Sequence, residues 1–122
     1  MAENPFAGPH EAKLRQGFAW LQEHLLNHAD LVFGEVLAAE PAHPFALRMR
    51  GVARFKLGRR DEGIADLTAA ADLDPVTPRA WSDLAVALRD AGRADQAAQA
   101  YERARAALGP GAANPPPLAR QA

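Results

Sequence analysis

The chain has 122 residues and a mass of 13.1 kDa, which is the size of one globular domain. Its 14 Lys and Arg residues nearly balance its 15 Asp and Glu residues, so a formal net charge of -1 supplies no overall positive field to hold a polyanion. The absence of cysteine excludes disulfides, cysteine-ligated zinc, iron–sulfur clusters and thiol catalysis.

Residues 1–9 form an N-terminal extension without the cationic and apolar regions of a secretory signal. No later window approaches the roughly 18 consecutive apolar residues that a membrane helix needs. We therefore expect a cytoplasmic protein that does not contact a membrane. Among the basic residues only Lys13 and Lys56 are lysine, and this excess of arginine, together with abundant alanine, is typical of a GC-rich bacterial genome.

From residue 10 onward the sequence repeats with a period of 34 residues. Small residues recur at two positions of the period, which lets two antiparallel helices approach closely. The first position holds Gly17, Gly51 and Ala85, and the second holds Ala29, Gly63 and Ala97. Pro41 and Pro75 then stop the second helix of the first two units. The period predicts three helix-turn-helix units over residues 10–43, 44–77 and 78–109, and hence an all-α fold with six helices.

The turn inside each unit also has a recurring pattern. We predict that a side-chain oxygen caps the N-terminus of each second helix at the positions of Asn27, Asp61 and Asp95. Glycine lies shortly before this position in the second and third units, as Gly58 and Gly92, whereas the first unit has His24. We therefore expect a less standard turn in the first unit.

These residues resemble the tetratricopeptide repeat (TPR) family, whose 34-residue pattern is W-x2-L-G-x2-Y followed by A-x3-F and P. The third unit matches best, with Trp81, Leu84, Ala85 and Leu88 on its first helix and Ala97 and Tyr101 on its second. The resemblance covers roughly residues 10–109. It implies a right-handed α-solenoid of three helical hairpins, with a concave groove lined by the first helix of each hairpin.

The resemblance also implies which residues contact a protein or peptide ligand in that groove. The candidates are Arg15, Phe18, Gln22, Phe45, Arg48, Met49, Val52, Lys56, Arg79, Ser82, Asp83, Val86 and Arg89. An apolar floor would consist of Phe18, Met49, Val52 and Val86. Because mainly arginines border it, this floor suits a segment with apolar anchors and some acidic residues. The alternative for Phe18, and for Phe55, is that the ring fills space between repeats.

Some members of the family bind the C-terminal carboxylate of a chaperone through two basic residues, two asparagines and a further lysine at fixed groove positions. The corresponding residues here are Leu14, Phe18, Met49, Arg79 and Asp83. Because only Arg79 agrees, we do not expect chaperone-tail binding of this type.

Two arginines, Arg50 and Arg54, occupy positions that are apolar in the other units or in the family. An unpaired buried guanidinium is unfavourable. Asp66, on the second helix of the same unit, offers a partner, so we predict an Arg50–Asp66 ion pair. The alternative is that Arg50 reaches solvent while its stem packs.

The sequence contains no arrangement typical of an enzyme, and we predict neither a cofactor nor a bound metal. Ser82 is the only serine, and no nucleophile with an adjacent base is apparent. His24 and His28 have the spacing of a zinc pair but lie on either side of the predicted turn. The basic run from residue 48 to residue 60 is the one hint of anion binding. Helical periodicity spreads it around the axis, so we do not expect nucleic-acid binding.

Residues 110–122 are rich in Pro, Gly and Ala, and we predict a disordered tail because this segment cannot continue a helix. The last helix then has no further helix to cover it. Its predicted open face, through which a homodimer would form, contains Ala97, Ala98, Tyr101 and Arg105. The sequence therefore predicts a non-catalytic scaffold that binds a protein or peptide segment in its groove, with self-association through the last helix as the alternative.

Overall fold

The computed structural model describes residues 4–109, in which it has six α-helices and no strand. The helices are α1 (Glu11–Gln22), α2 (Leu26–Ala39), α3 (Pro44–Lys56), α4 (Arg60–Leu73), α5 (Pro78–Asp90) and α6 (Ala94–Ala107). They pair along the chain into three hairpins, and consecutive hairpins pack through α2 on α3 and α4 on α5. None of the described helices is long and apolar enough to cross a membrane. The predicted all-α fold with six helices is confirmed, and the predicted tail over 110–122 lies outside the described residues.

The second helix of each of the first two hairpins ends just before a proline. Glu40 and Asp74, which precede Pro41 and Pro75, have φ angles of -140° and -138°. A proline ring disfavours helical backbone in the residue before it, so α2 and α4 end one residue earlier.

The three turns inside the hairpins share one backbone geometry. A residue with positive φ occupies the same place in each: His24 at 62°, Gly58 at 91° and Gly92 at 81°. The following N–H donates to a carbonyl near the end of the preceding helix, at 2.8 Å from Leu25 to Trp20, 2.9 Å from Arg59 to Arg54 and 2.8 Å from Arg93 to Leu88. The expectation of a less standard first turn was wrong, because His24 adopts the conformation that glycine adopts in the other two.

The predicted N-caps of the second helices also need correction. Asn27, Asp61 and Asp95 are each the second residue of a helix. The N-cap residues are Leu25, Arg59 and Arg93, and none makes a side-chain capping hydrogen bond. The two aspartates still lie in the first helical turn, where the positive end of the helix dipole stabilises a negative charge.

Buried apolar side chains form two core clusters. The first combines the inner faces of the first hairpin and of α3, and its fully buried members include Leu14, Phe33 and Val36. The second combines α5 and α6 with the apolar face of α4, and it contains Leu67 and Trp81. The middle hairpin therefore contributes α3 mainly to one cluster and α4 mainly to the other.

Arg50 and Asp66 form the predicted ion pair inside the middle hairpin. The guanidinium donates from Nε to Oδ2 at 2.8 Å and from Nη2 to Oδ1 at 3.0 Å, a bidentate arrangement. Asp66 is only 7% exposed and is the one buried charged residue of the described chain. Its hydrogen bond raises the pKa of the Arg50 guanidinium, against the lowering effect of burial, so Arg50 stays charged in alkaline solution.

A second, unpredicted ion-pair group joins the first hairpin to the middle one. Arg54 of α3 donates from Nε to Asp30 of α2 at 3.1 Å, and Arg59 donates to the other oxygen of Asp30 at 2.9 Å. Arg54 also lies 3.5 Å from Asp66. Arg54 is therefore shared between Asp30 and Asp66, which explains why it occupies a position that is apolar in the other repeats.

Candidate peptide-binding groove

The first helices of the three hairpins form one face of the array, because α3 contacts both α1 and α5. A cleft of about 420 Å³ lies between α3 and α5 on this face, within the usual range for ligand sites of roughly 300–1,000 Å³. The floor of this α3–α5 cleft includes Val52, Phe55 and Val86. Its walls carry both signs of charge, with Lys56 and Arg60 on the side of α3 and α4 and Asp83 and Asp90 on α5.

Aromatic side chains cover the other half of the face, between α1 and α3. Phe18 of α1 and Phe45 of α3 have ring centroids 6.3 Å apart. The ring of Phe6, from the segment before α1, lies 5.7 Å from Phe18 and 5.4 Å from Phe45. We call these three residues the aromatic cluster. Phe6 was not among the predicted groove residues, although it is the one aromatic residue of the N-terminal extension and so was a signal for a contact with the helices.

Three of the four arginines predicted to border the groove are paired within the chain. Arg48 donates to Asp83 at 2.8 Å, and Arg15 donates to Glu11 at 2.9 Å. Arg89 lies 3.2 Å from its neighbour Asp90. A guanidinium whose charge is already compensated attracts an acidic ligand less strongly. The expected preference for acidic segments therefore needs correction, since both signs of charge border the α3–α5 cleft.

Met49, predicted for the groove floor, is a core residue. It is 6% exposed and belongs to the first core cluster, because its side chain packs toward the first hairpin. Leu14 is completely buried in the same cluster. Two of the five positions of the family's carboxylate clamp are therefore closed to a ligand in this chain.

The remaining predicted groove residues fall into separate places. Val52, Lys56, Asp83 and Val86 come together around the α3–α5 cleft. Arg79 and Ser82 line a different, shallow depression near the start of α5, which also includes Asp83. Gln22 and Arg89 are exposed but line neither opening. The structure thus brings together a part of the predicted set and disperses the rest.

The basic run of α3 and the following turn does not form a continuous basic surface. Four of its arginines pair with carboxylates, namely Arg48 with Asp83, Arg50 with Asp66, and Arg54 and Arg59 with Asp30. The Arg60 guanidinium lies over the ring of Phe55, 5.6 Å from its centroid. Within residues 4–109, Lys56 is the member of the run with neither an ion pair nor an aromatic contact.

The histidines do not come together with acidic residues in a way that would hold a metal. Among the described residues, no group of three or more His, Asp or Glu has such an arrangement. His24 lies in the first turn and His28 on α2, where its ring packs 5.3 Å from that of Trp20.

The outer face of α6 contains three of the four residues predicted for a dimer interface. Ala98, Tyr101 and Arg105 correspond by the 34-residue period to Ile64, Leu67 and Ala71, which belong to the second core cluster at the packing of α4 on α5. Ala98 and Arg105 are exposed, and Tyr101 is half-buried. The assignment of Ala97 to this face was wrong, because Ala97 is 3% exposed and belongs to the second core cluster.

Three helical hairpins repeated every 34 residues define a TPR domain, and comparison with solved structures confirms this class. The TPR domain of Sgt2 from Aspergillus fumigatus has a TM-score of 0.79 at 27% identity, over 93% of this chain and 76% of that one. The TPR2B domain of yeast Sti1, solved in a complex with pHsp70, has a TM-score of 0.73 at 23% identity, over 80% of this chain and 81% of that one.

A narrower family emerges from sequence comparison. A family model described as bacterial transcriptional activator domain matches residues 7–111, and the chain belongs to this family. The co-chaperone sgt12 of Aspergillus fumigatus is 31% identical over 114 residues, which cover 90% of this chain and 33% of the relative. The chain thus spans about a third of the length of that curated relative. The repeat pattern had indicated only the broader TPR class.

Proposed function

We propose that this chain is a non-catalytic protein-interaction domain that binds a peptide or protein segment along α1, α3 and α5. The observation that carries this proposal is the α3–α5 cleft, which is open and has an apolar floor between walls of opposite charge. The TPR2B domain of yeast Sti1, which has the same fold and was solved in a complex with pHsp70, supports the proposal that the partner is a protein or peptide.

The ligand that fits this cleft is an extended or helical segment with an apolar anchor side chain. The anchor would rest on Val52 and Val86, which are partly exposed in the free chain. Flanking charges of both signs would face Lys56 on one wall and Asp90 on the other. Apolar contact supplies affinity here, whereas the charged walls select the direction in which the segment lies.

Affinity capture with matched variants tests the groove. Val86 lies on the cleft floor and is 40% exposed, whereas Val76 lies in the turn before α5 and is 74% exposed. We expect a partner captured by the wild type to be retained by Val76→Glu and lost by Val86→Glu, since the new carboxylate lies beside Asp83 and Asp90. Circular dichroism of both variants checks that they are folded. Equal capture by the two variants would contradict the cleft as the binding site.

The description of the family places such domains in transcriptional activators, and we propose that this chain contributes a protein contact there and not a nucleic-acid contact. The pairing of the basic run with Asp30, Asp66 and Asp83 supports this, because nucleic-acid binding depends on free cationic side chains. A gel-shift experiment at low salt is the test. Retardation of DNA or RNA would overturn this part of the proposal.

A bacterial source and a cytoplasmic location belong to the same proposal. The arginine-rich composition and the family description support the source. Expression of the chain with a fluorescent tag in a bacterial host, followed by cell fractionation, tests the location, and recovery in the membrane or periplasmic fraction would contradict it.

Homodimerisation through α6 is the alternative function. One observation favours it. Ala98 and Tyr101 of α6 correspond by the 34-residue period to Ile64 and Leu67 of α4, which pack against the following hairpin. Light scattering at increasing concentration tests it. We expect the mass of two chains for the wild type and of one chain for Tyr101→Glu if the interface exists, and a single-chain mass for the wild type would reject it.

A further inference from the structure

The segment before α1 folds back onto the groove as a tight turn. The Phe6 N–H donates to Asn4 Oδ1 at 2.9 Å, and the Ala7 N–H donates to the Asn4 backbone oxygen at 3.1 Å. We call residues 4–9 the N-terminal turn. Within it only Phe6 is partly buried, and the other five residues are exposed. The turn is joined to the start of α1 by the Glu11 N–H, which donates to the Gly8 carbonyl oxygen at 3.3 Å, and Phe6 is the residue of the turn that packs against the helices.

The Phe6 ring is held as the side chain of a bound ligand would be. It meets Phe45 nearly edge-on, at an interplanar angle of 84°, and it meets Phe18 at a tilt of 58°. The Arg15 guanidinium lies 4.8 Å from its centroid. Tilted and edge-on rings and a cation over a ring are the favourable geometries for aromatic recognition. Helices α1 and α3 therefore supply a site for an aromatic side chain that belongs to neither helix.

Open space remains beside the turn. An opening of about 360 Å³ lies next to it and is lined by Pro5 and Ala7 together with Phe45, Arg48 and residues of the following hairpin. Interior side chains are close-packed without such gaps. The N-terminal turn thus lies on the surface of the groove, where Phe6 packs against the outside of the first core cluster and is not one of its buried members.

We propose that Phe18, Phe45 and Arg15 form a binding site for an aromatic side chain presented on an Asn-Pro turn, and that Phe6 is the intramolecular occupant of this site. An external segment of the same chemistry displaces Phe6. The inference rests on the proposed function and deepens it, since it names the ligand chemistry for the half of the groove that the α3–α5 cleft does not reach.

The short segment that joins Phe6 to α1 determines how strongly Phe6 competes with an external ligand for the site. A segment joined to its site by a few residues has an effective concentration on the order of millimolar. An external ligand binds only the fraction of molecules in which the site is free, so its apparent affinity falls by that fraction. For an intrinsic dissociation constant of about 0.1 mM, an effective concentration of about 1 mM leaves the site free in about one molecule in ten, so removal of the Phe6 ring is expected to strengthen external binding about tenfold.

The probe is a synthetic peptide with the sequence of residues 3–9, acetylated and amidated, titrated by calorimetry into the full chain. We expect Phe6→Ala to bind it about tenfold more tightly than the wild type, with NMR shifts at Phe18 and Phe45. A peptide in which alanine replaces the phenylalanine is expected not to bind. Leu31→Ala, at a residue that is 71% exposed and outside both openings, is the control and should match the wild type.

Equal affinity of the wild type and Phe6→Ala, or no binding by Phe6→Ala, overturns the inference, because the ring is then only a part of the fold. Phe6→Leu keeps an apolar side chain and weakens the aromatic contacts, so it should bind the probe with intermediate affinity. If Phe6→Ala does not fold, the affinity of Phe6→Leu for the probe, compared with that of the wild type, tests the inference in its place. A failure here leaves the Val86→Glu capture experiment unaffected, because that experiment concerns the α3–α5 cleft and does not involve the probe peptide.

Discussion

Gly51 and Gly63 face each other where α3 crosses α4, and neither has room for a methyl group. A Cβ atom on Gly63 would lie 2.7 Å from the Gly51 carbonyl oxygen, and a Cβ atom on Gly51 would lie 2.9 Å from the Gly63 carbonyl oxygen. The corresponding residues of the third hairpin, Ala85 and Ala97, carry that methyl group. The middle hairpin therefore has its two helices in closer backbone contact at this point than alanine would permit.

This contact predicts opposite effects for two glycine-to-alanine changes. Gly63→Ala should destabilise the fold by about 1–3 kcal/mol, because the new methyl group meets the backbone of Gly51 and Phe55, which cannot move aside like a flexible side chain. Gly34→Ala on α2 meets nothing within 4 Å and should stabilise by up to about 1 kcal/mol through helix propensity. Urea denaturation measures both. The same sign of change in the two variants would contradict the packing argument.

Loss of the Asp66 carboxylate should destabilise the chain strongly. Asp66→Ala leaves Arg50 without its bidentate partner in a largely buried position, and we expect a loss of about 3 kcal/mol in the free energy of unfolding. Asp72→Ala is the matched control on the same helix, since Asp72 is exposed, and it should change stability by less than about 0.5 kcal/mol. Similar melting temperatures for the two variants would show that the Arg50–Asp66 ion pair contributes little to the stability of the fold.

Asp30 and Asp66 are predicted to be energetically coupled because they share Arg54. The Arg54 guanidinium lies 3.1 Å from Asp30 and 3.5 Å from Asp66. Removal of either carboxylate therefore changes the strength of the interaction between Arg54 and the other carboxylate. A double-mutant cycle with Asp30→Ala and Asp66→Ala should give a coupling energy of about 0.5–2 kcal/mol. Strict additivity of the two changes would exclude the coupling. Arg54→Met should abolish it if Arg54 is the connection.

His24 should be replaceable by glycine with a gain in stability. Its φ of 62° is strained for a residue with a Cβ atom, whereas glycine adopts it readily. We expect His24→Gly to stabilise by about 0.5–1 kcal/mol, and Gly58→His, at the equivalent turn, to destabilise by a similar amount or more. Thermal melting of both variants measures these two changes in stability. If His24→Gly lowers the melting temperature, the imidazole makes a stabilising contact that outweighs the backbone strain.

Most of the fold could be predicted from the sequence, because its signals are local and repeated. The prolines at 41 and 75 and the small residues at the helix crossings depend only on backbone sterics, and the structure has them where they were expected. The helix starts were misplaced by two residues, because an acidic side chain near a helix start suits both the N-cap and the first turn. Only the hydrogen bonds distinguish these two positions.

The groove was less predictable, because it depends on which partner each side chain finds. Arg48 pairs with Asp83 across 35 residues of sequence, so its charge could not be judged from its neighbours in the chain. Met49 and Val52 are three residues apart on one helix, yet the first faces the core and the second faces the cleft. The contact of Phe6 with Phe45 joins an extension to the second repeat, which no periodic pattern encodes.

The division of the core into two clusters determines the smallest part of the chain that can fold. The outer hairpins depend on α3 or α4 to complete their clusters, so neither has a full core of its own. A fragment with the first or the last hairpin removed keeps one complete cluster, whereas a single hairpin keeps none. The array is therefore built from two overlapping two-hairpin units that share the middle hairpin, and no single hairpin is expected to fold on its own.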